Sequence, residues 1–318
     1  MLGATCVPRA RLGGALAFAK AEERTDVWLL PFDLDRGTPT GAPERITQGP
    51  PWHENPSLAQ NGRFVAFASD QSCRGDIGNI WLRELGTANE MSVAASRFAQ
   101  RFPVSNASGA KIAFSVYENN KRVLYVSAPG GAPERVCGDC LRATDWSRDE
   151  KNLMVFGGDP YQINVLDLAS HRQMPLVKHP DHDVLYGRWS PDNRWISFTA
   201  RVRPDRGRIM VAPADGPKPI PESAWIAIAE VVPDDYANWS PDGKTLYFTS
   251  GRDGYSCLWG QRLDASSRRP VGEPFAVQHL HGRLSFDHGG WSAAAGRIAI
   301  PLVETTGNLW MMSRPETR

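Results

Sequence analysis

Residues 236–259 read YANWSPDGKTLYFTSGRDGYSCLW, and the fold follows from how this stretch is built. Trp239 leads into Ser-Pro-Asp-Gly, after which Thr245–Ser250 runs T-L-Y-F-T-S. Pro241 presets φ for the first corner of a turn, Asp242 can bond nearby backbone, and Gly243 accepts positive φ. The aromatic and β-branched run after the turn has the composition of a half-buried strand. Gly251-Arg252-Asp253-Gly254 then turns the chain back into a strand around Leu258-Trp259. The unit is a small antiparallel meander. It cannot bury its own apolar face, so its recurrence decides the architecture.

The unit recurs. Trp189-Ser-Pro-Asp-Asn193 precedes Trp195–Phe198, and Trp146-Ser-Arg-Asp-Glu150 precedes Leu153–Phe156. Weaker copies are Leu58–Gly62 before Phe64–Phe67, Ser105–Gly109 before Ile112–Phe114, and Trp291–Gly296 before Ile298–Ile300. At the N-terminus only Gly13-Gly14 followed by Ala15–Phe18 is clear. Turn positions 14, 62, 109, 150, 193, 243 and 296 are separated by 41 to 53 residues. That period marks a repeat of four short strands. No long segment has helical periodicity, so the expected class is all-β. The expected architecture is a seven-bladed β-propeller of four-stranded antiparallel blades, with six blades as the alternative. Radial repetition protects strand edges and buries both faces of each sheet.

Seven units of four would need 28 strands, and the last unit supplies three, because the chain stops eight residues after Trp310. Leu2–Val7 is expected as the innermost strand of the first blade. The alternative places it beside Asn308–Ser313, closing the ring across the termini. The recurring tryptophans, at 28, 81, 259 and 310 on third strands and at 146, 189, 239 and 291 on first strands, are expected to pack between blades.

Composition narrows the functional classes. The chain of 318 residues is 41% hydrophobic and 22% charged, enough apolar content for a packed core, and the unbroken repeat argues for one domain over 1–318. Lys+Arg of 36 against Asp+Glu of 35 leaves +1, without the basic excess that nucleic acid attracts. No apolar run reaches the length of a membrane span, and the first 20 residues lack the pattern of a signal peptide. A cytoplasmic monomer is therefore expected from the chain as written, or a periplasmic one if it is part of a larger anchored or secreted protein.

The W-S-P-D-G-K-x-L-x-F-x-S pattern, followed by a Leu-Trp strand and a Pro-rich outer strand, resembles the TolB-type repeat, the WD40-like PD40 propeller repeat. The likeness is strong over 143–260 and weak over 1–20. APGGAPERVCGDC (128–140) and RRPVGEPFAV (268–277) are similar to propeller domains fused to bacterial winged-helix regulators or protein kinases. No G-x-G-x-x-G loop or H-R-D triplet accompanies them. The resemblance implies a non-enzymatic platform for a protein or small ligand, such as the sensory part of a regulator. Prolyl-oligopeptidase-type enzymes also carry propellers, but their catalytic domain needs a G-x-S-x-G elbow and helices that are not here.

The remaining alternative is a channel-centred hydrolase or lyase, which requires His or carboxylates converging from several blades. Of the seven histidines, His279 and His281 share a strand face, but on an outer strand far from any channel; no metal or other cofactor is expected. Cys137 and Cys140 have the spacing for a tight local disulfide in an oxidising compartment, or they stay two reduced thiols. First strands line a propeller's channel and the loops entering them form one rim. The binding candidates are accordingly His53, Glu54, Asn55, Arg101, Asp145, Tyr186, Arg188, Asp235, Tyr236, Asn238 and His288. Mixed charge with tyrosine suits a binding mouth, although a solvated channel is polar in any case.

Overall fold

The computed structural model describes residues 10–12, 15–48, 52–69, 78–94, 96–203, 206–216, 218–231, 236–280, 282, 284–286 and 290–313. The Ser-Pro-Asp-Gly turn behaves as its chemistry requires. Ser240 Oγ donates to Asp242 Oδ1 at 2.7 Å, and the same carboxylate oxygen accepts Lys244 N–H at 2.9 Å. Ser240 Oγ in turn accepts Thr245 N–H at 2.9 Å. The identical set of three bonds is made by Ser190 and Asp192, and again by Ser147 and Asp149. The last turn position is left-handed in every copy among the described residues: Gly62 at 70°, Gly109 at 79°, Glu150 at 57°, Asn193 at 56°, Gly243 at 68° and Gly296 at 71°. In these three turns the serine and aspartate thus bond the backbone within five residues of themselves, so the hairpin is written locally.

Six sheets form among the described residues, and five are four-stranded meanders. Blade one contains His53–Leu58, Phe64–Ser69, Asn79–Glu84 and Glu90–Ser92. Blades two, three, four and five begin at the inner strands Gln100–Ser105, Arg142–Trp146, Asp183–Trp189 and Asn238–Trp239. Blade six is assembled from both ends of the chain. Ser292–Ala294 is its inner strand and Arg297–Ser313 its second. The third is Ala15–Asp33, running antiparallel to Arg297–Ser313 from Ala15↔Ser313 to Pro31↔Arg297, and Glu44–Arg45 pairs outside it.

The expectation of seven blades is therefore corrected to six. The first and seventh repeat units are halves of one sheet, so counting turns counts that blade twice. Ala15–Phe18 and Val27–Leu30 are one continuous strand, as are Ile298–Ile300 and Leu309–Met311. The linking stretch KAEERTD (20–26) contains no Gly or Pro to turn it. Leu2–Val7 lies outside the described residues.

The apolar packing gives the same count. Six buried clusters form among the described residues, and each spans one seam between neighbouring blades. Ile112 and Phe114 of blade two pack on Ala66, Ile80 and Leu82 of blade one. Trp239, Leu246 and Phe248 of blade five pack on Ile209 and Val211 of blade four. Val27 and Leu29 join Leu58, Val65 and Phe67, so the N-terminal strand seals blade six against blade one. Trp146, Trp239 and Trp291 are buried, and Trp28, Trp81 and Trp259 are partly so. Trp310 departs from the expectation at 54% exposed: its stretch of the strand pairs with Ala15–Asp33 at Phe18 but lies beyond the pairing of the inner strand Ser292–Ala294.

Three outcomes test this account. Gly243→Ala places a Cβ that meets nothing nearer than Arg268 Nη1 at 3.5 Å, so its cost is conformational. A loss of about 1–2 kcal/mol in urea unfolding is expected. Trp239→Ala empties a seam and should cost about 3–5 kcal/mol by the same measurement. Deleting residues 1–33 removes the third strand of blade six and bares the edge of Arg297–Ser313; concentration-dependent association by light scattering is expected.

Candidate functional site

The inner strands are not regular. Pairing with the second strand slips between Glu54 and Ser57, between Arg101 and Val104, between Ala143 and Asp145, and between Leu185 and Arg188. Each slip is a β-bulge, which re-aims the side chains around it. At three of the four the bulged residue is left-handed: Asn55 at 53°, Phe102 at 56° and Tyr186 at 56°. Pro56, Pro103 and Gly187 follow them.

The bulges build an aromatic cage around one cation. The Arg142 guanidinium lies 4.3 Å from the ring centre of Phe102, 5.2 Å from that of Tyr186 and 5.4 Å from that of Tyr236. Its Nη1 donates to the Tyr236 hydroxyl at 3.4 Å, and the two tyrosine rings are 4.4 Å apart. Arg142 Nε is buried and has no hydrogen-bond partner among the described residues. The cage borders a shallow depression lined also by Asn55 and Arg188. Asn55 Oδ1 accepts Gly290 N–H at 3.2 Å. Burial lowers the Arg188 pKa; Asp145 opposes that shift and the charge of Arg142 adds to it.

Other inner-strand polar groups fasten blades together. Asp145 Oδ1 accepts Trp146 N–H, and its Oδ2 reaches the next blade to accept Trp189 N–H, both at 2.9 Å. Thr144 Oγ1 crosses the same seam, donating to Gly187 O at 2.6 Å. Ser57 Oγ accepts Ser105 N–H at 2.9 Å, and Ser292 Oγ accepts Leu58 N–H at 2.8 Å. Asn238 Nδ2 donates to Trp291 O at 3.4 Å. Burial raises the Asp145 carboxyl to about 6, against the pull of Arg188 and the two backbone N–H groups.

The residues singled out by sequence thus divide. Asn55, Tyr186, Arg188 and Tyr236 meet at the depression. Asp145 and Asn238 are seam fasteners. Glu54 and Arg101 pair across blades one and two at 3.4 Å. His53 is buried in the seam with blade six, its ring 5.7 Å from Phe67 and its Nε2 3.9 Å from Asp26 Oδ1; burial lowers its pKa. Asp235 and His288 lie outside the described residues. Arg142 and Phe102 were not among the expected residues, although Phe102-Pro103 repeats the Asn55-Pro56 pattern one blade on. Cys137 and Cys140 form a disulfide at the end of blade two, with Cα atoms 5.6 Å apart.

Asp145 yields a pH dependence. Its folded pKa is raised to about 6 from an ordinary 3.8. Its favourable contribution is therefore full below the unfolded value and is lost as pH rises through the folded one. Asp145→Asn imitates the protonated carboxyl, so its urea midpoint should fall less than the parent's between pH 4 and pH 7.

No family model matches the chain, and neither does any curated protein. Solved structures do. A TolB-type protein of Agrobacterium tumefaciens superposes with TM-score 0.66 at 18% identity, covering 90% of this chain and 99% of that one. TolB from Acinetobacter baumannii gives 0.61 at 14%, over 89% of this chain and 66% of that one. A prolyl endopeptidase structure gives 0.52 at 14%, over 86% of this chain and 42% of that one, so this chain spans less than half of the peptidase. At these identities the likeness concerns the fold, and the fold is a TolB-like β-propeller.

Proposed function

We propose that this propeller is a non-enzymatic binding module whose channel mouth takes an anionic group, a carboxylate on a peptide or protein partner. The observation that carries the reading is Arg142, held among three aromatic rings with Arg188 close enough to feel its charge. A guanidinium offers planar paired donors that match a carboxylate. The buried Nε–H adds a donor whose missing partner costs about 1–3 kcal/mol, recovered when an acceptor arrives. The aromatic walls supply apolar contact for whatever carries the charge. The chemistry favours binding over turnover: the groups facing the depression are guanidinium donors and aromatic rings, and both Asp145 oxygens are engaged by backbone N–H groups.

The Cys137–Cys140 bridge supports an oxidising setting such as a bacterial periplasm. There the module would act as a monomeric sensor or scaffold, in keeping with its resemblance to the propellers of bacterial regulators.

Hexaglutamate and hexalysine, titrated by isothermal calorimetry, test this proposal. Hexaglutamate should bind and hexalysine should not, and Arg142→Gln should weaken binding about tenfold or more, since charge-assisted bonds contribute about 1.5–3 kcal/mol. Absence of hexaglutamate binding, or equal binding by the variant, would overturn the reading.

A further inference from the structure

Away from the channel, on the rim of blade five, three unlike metal-ligating side chains meet. Cys257 opens the third strand, Cys257–Leu263, and is buried. The outer strand Pro270–Gln278 pairs with it at Leu258↔Gln278, which brings His279 alongside Cys257. The turn before Cys257 carries Asp253. Donor atoms of Asp253, Cys257 and His279 all lie within 4.8 Å of one another. His279 Nδ1 is 3.0 Å from Asp253 Oδ2.

We propose that Asp253, Cys257 and His279 bind a zinc ion. The donor set is one thiolate, one imidazole and one carboxylate, the mixture that suits zinc rather than calcium or magnesium. With ligand bonds of about 2.0–2.3 Å, tetrahedral zinc holds its donors about 3.3–3.8 Å apart. The three donors, within 4.8 Å of one another, stand about 1 Å or less beyond that spacing. Leu280 N–H donates to Cys257 Sγ at 3.3 Å, an outer bond of the kind that orients a metal-bound sulfur. Asp253 and His279 are exposed, so the fourth position opens to water. Charge balances: the aspartate and the thiolate neutralise the dication. On entry the Cys257 S–H bond breaks, the sulfur lone pair forms the S–Zn bond, and the proton passes to solvent. The other two cysteines among the described residues, Cys137 and Cys140, are tied in a disulfide and do not compete.

Cobalt(II) is the probe, added without reductant to the full chain. One equivalent should produce a thiolate-to-cobalt charge-transfer band and visible tetrahedral bands, both abolished by stoichiometric zinc. The thiolate band should persist in the Cys137→Ser/Cys140→Ser variant and vanish in Cys257→Ser. Because Cys257 is buried, His279→Ala and Asp253→Asn are measured beside it; both positions are exposed, and unchanged far-UV circular dichroism verifies their folding. Losing an outer-shell partner costs 10–100-fold in metal affinity, so His279→Ala should weaken zinc uptake at least about a hundredfold. Saturating zinc should raise the melting temperature of the parent but not of His279→Ala. No thiolate band in the parent, or a band unchanged in His279→Ala or Cys257→Ser, overturns the proposal.

Discussion

The structure depends on one pairing, between Ala15–Asp33 near one end of the chain and Arg297–Ser313 near the other. A ring of sheets has a seam wherever the chain begins and ends, and unpaired strand edges there invite association. Here the seam lies within a blade rather than between blades, so backbone hydrogen bonds close it. The same strand places Val27 and Leu29 against blade one. Beside them, Asp26 is buried with Thr47 Oγ1 donating to it at 2.9 Å and with Arg24 and Arg45 as ion partners. Closure therefore joins the longest backbone ladder of the fold to an apolar seam and a buried charge network.

Once the ring is closed, the inner strands face two demands. They must hold neighbouring blades in register, and they must line a solvated channel. The bulges separate these tasks along each strand. Residues beside the slips, such as Thr144 and Asp145, spend their polar atoms on the next blade's backbone. The left-handed residues at the slips, Phe102 and Tyr186, turn toward Arg142 instead. The distinction separates polar residues that hold the blades together from those that face the depression. Asp145 has the perturbed titration usually associated with an active-site carboxylate, yet both its oxygens are committed to main-chain donors.

The depression beside Arg142 and the rim of blade five also differ in chemistry. The depression gathers cationic and aromatic groups from several blades, and its components come together only through the ring. The rim cluster lies within a single blade and is assembled by one strand pairing and one turn.

What the sequence determined by itself is local. Ser240 and Asp242 complete their turn with bonds spanning no more than five residues, so the hairpin, its copies at Ser147 and Ser190 and the all-β class were legible from the residues. The blade count was not, because Ala15–Asp33 pairs with residues nearly the whole chain away and no local pattern records that. Tyr186 and Tyr236 could be named from their place near inner strands. Arg142 could not, since its significance comes from rings on blades two and four and on the approach to blade five. Cys257 and His279 stand apart in sequence and meet only through strand pairing. Turn chemistry acts over a few residues and is written in them; closure, convergence and burial belong to the folded ring.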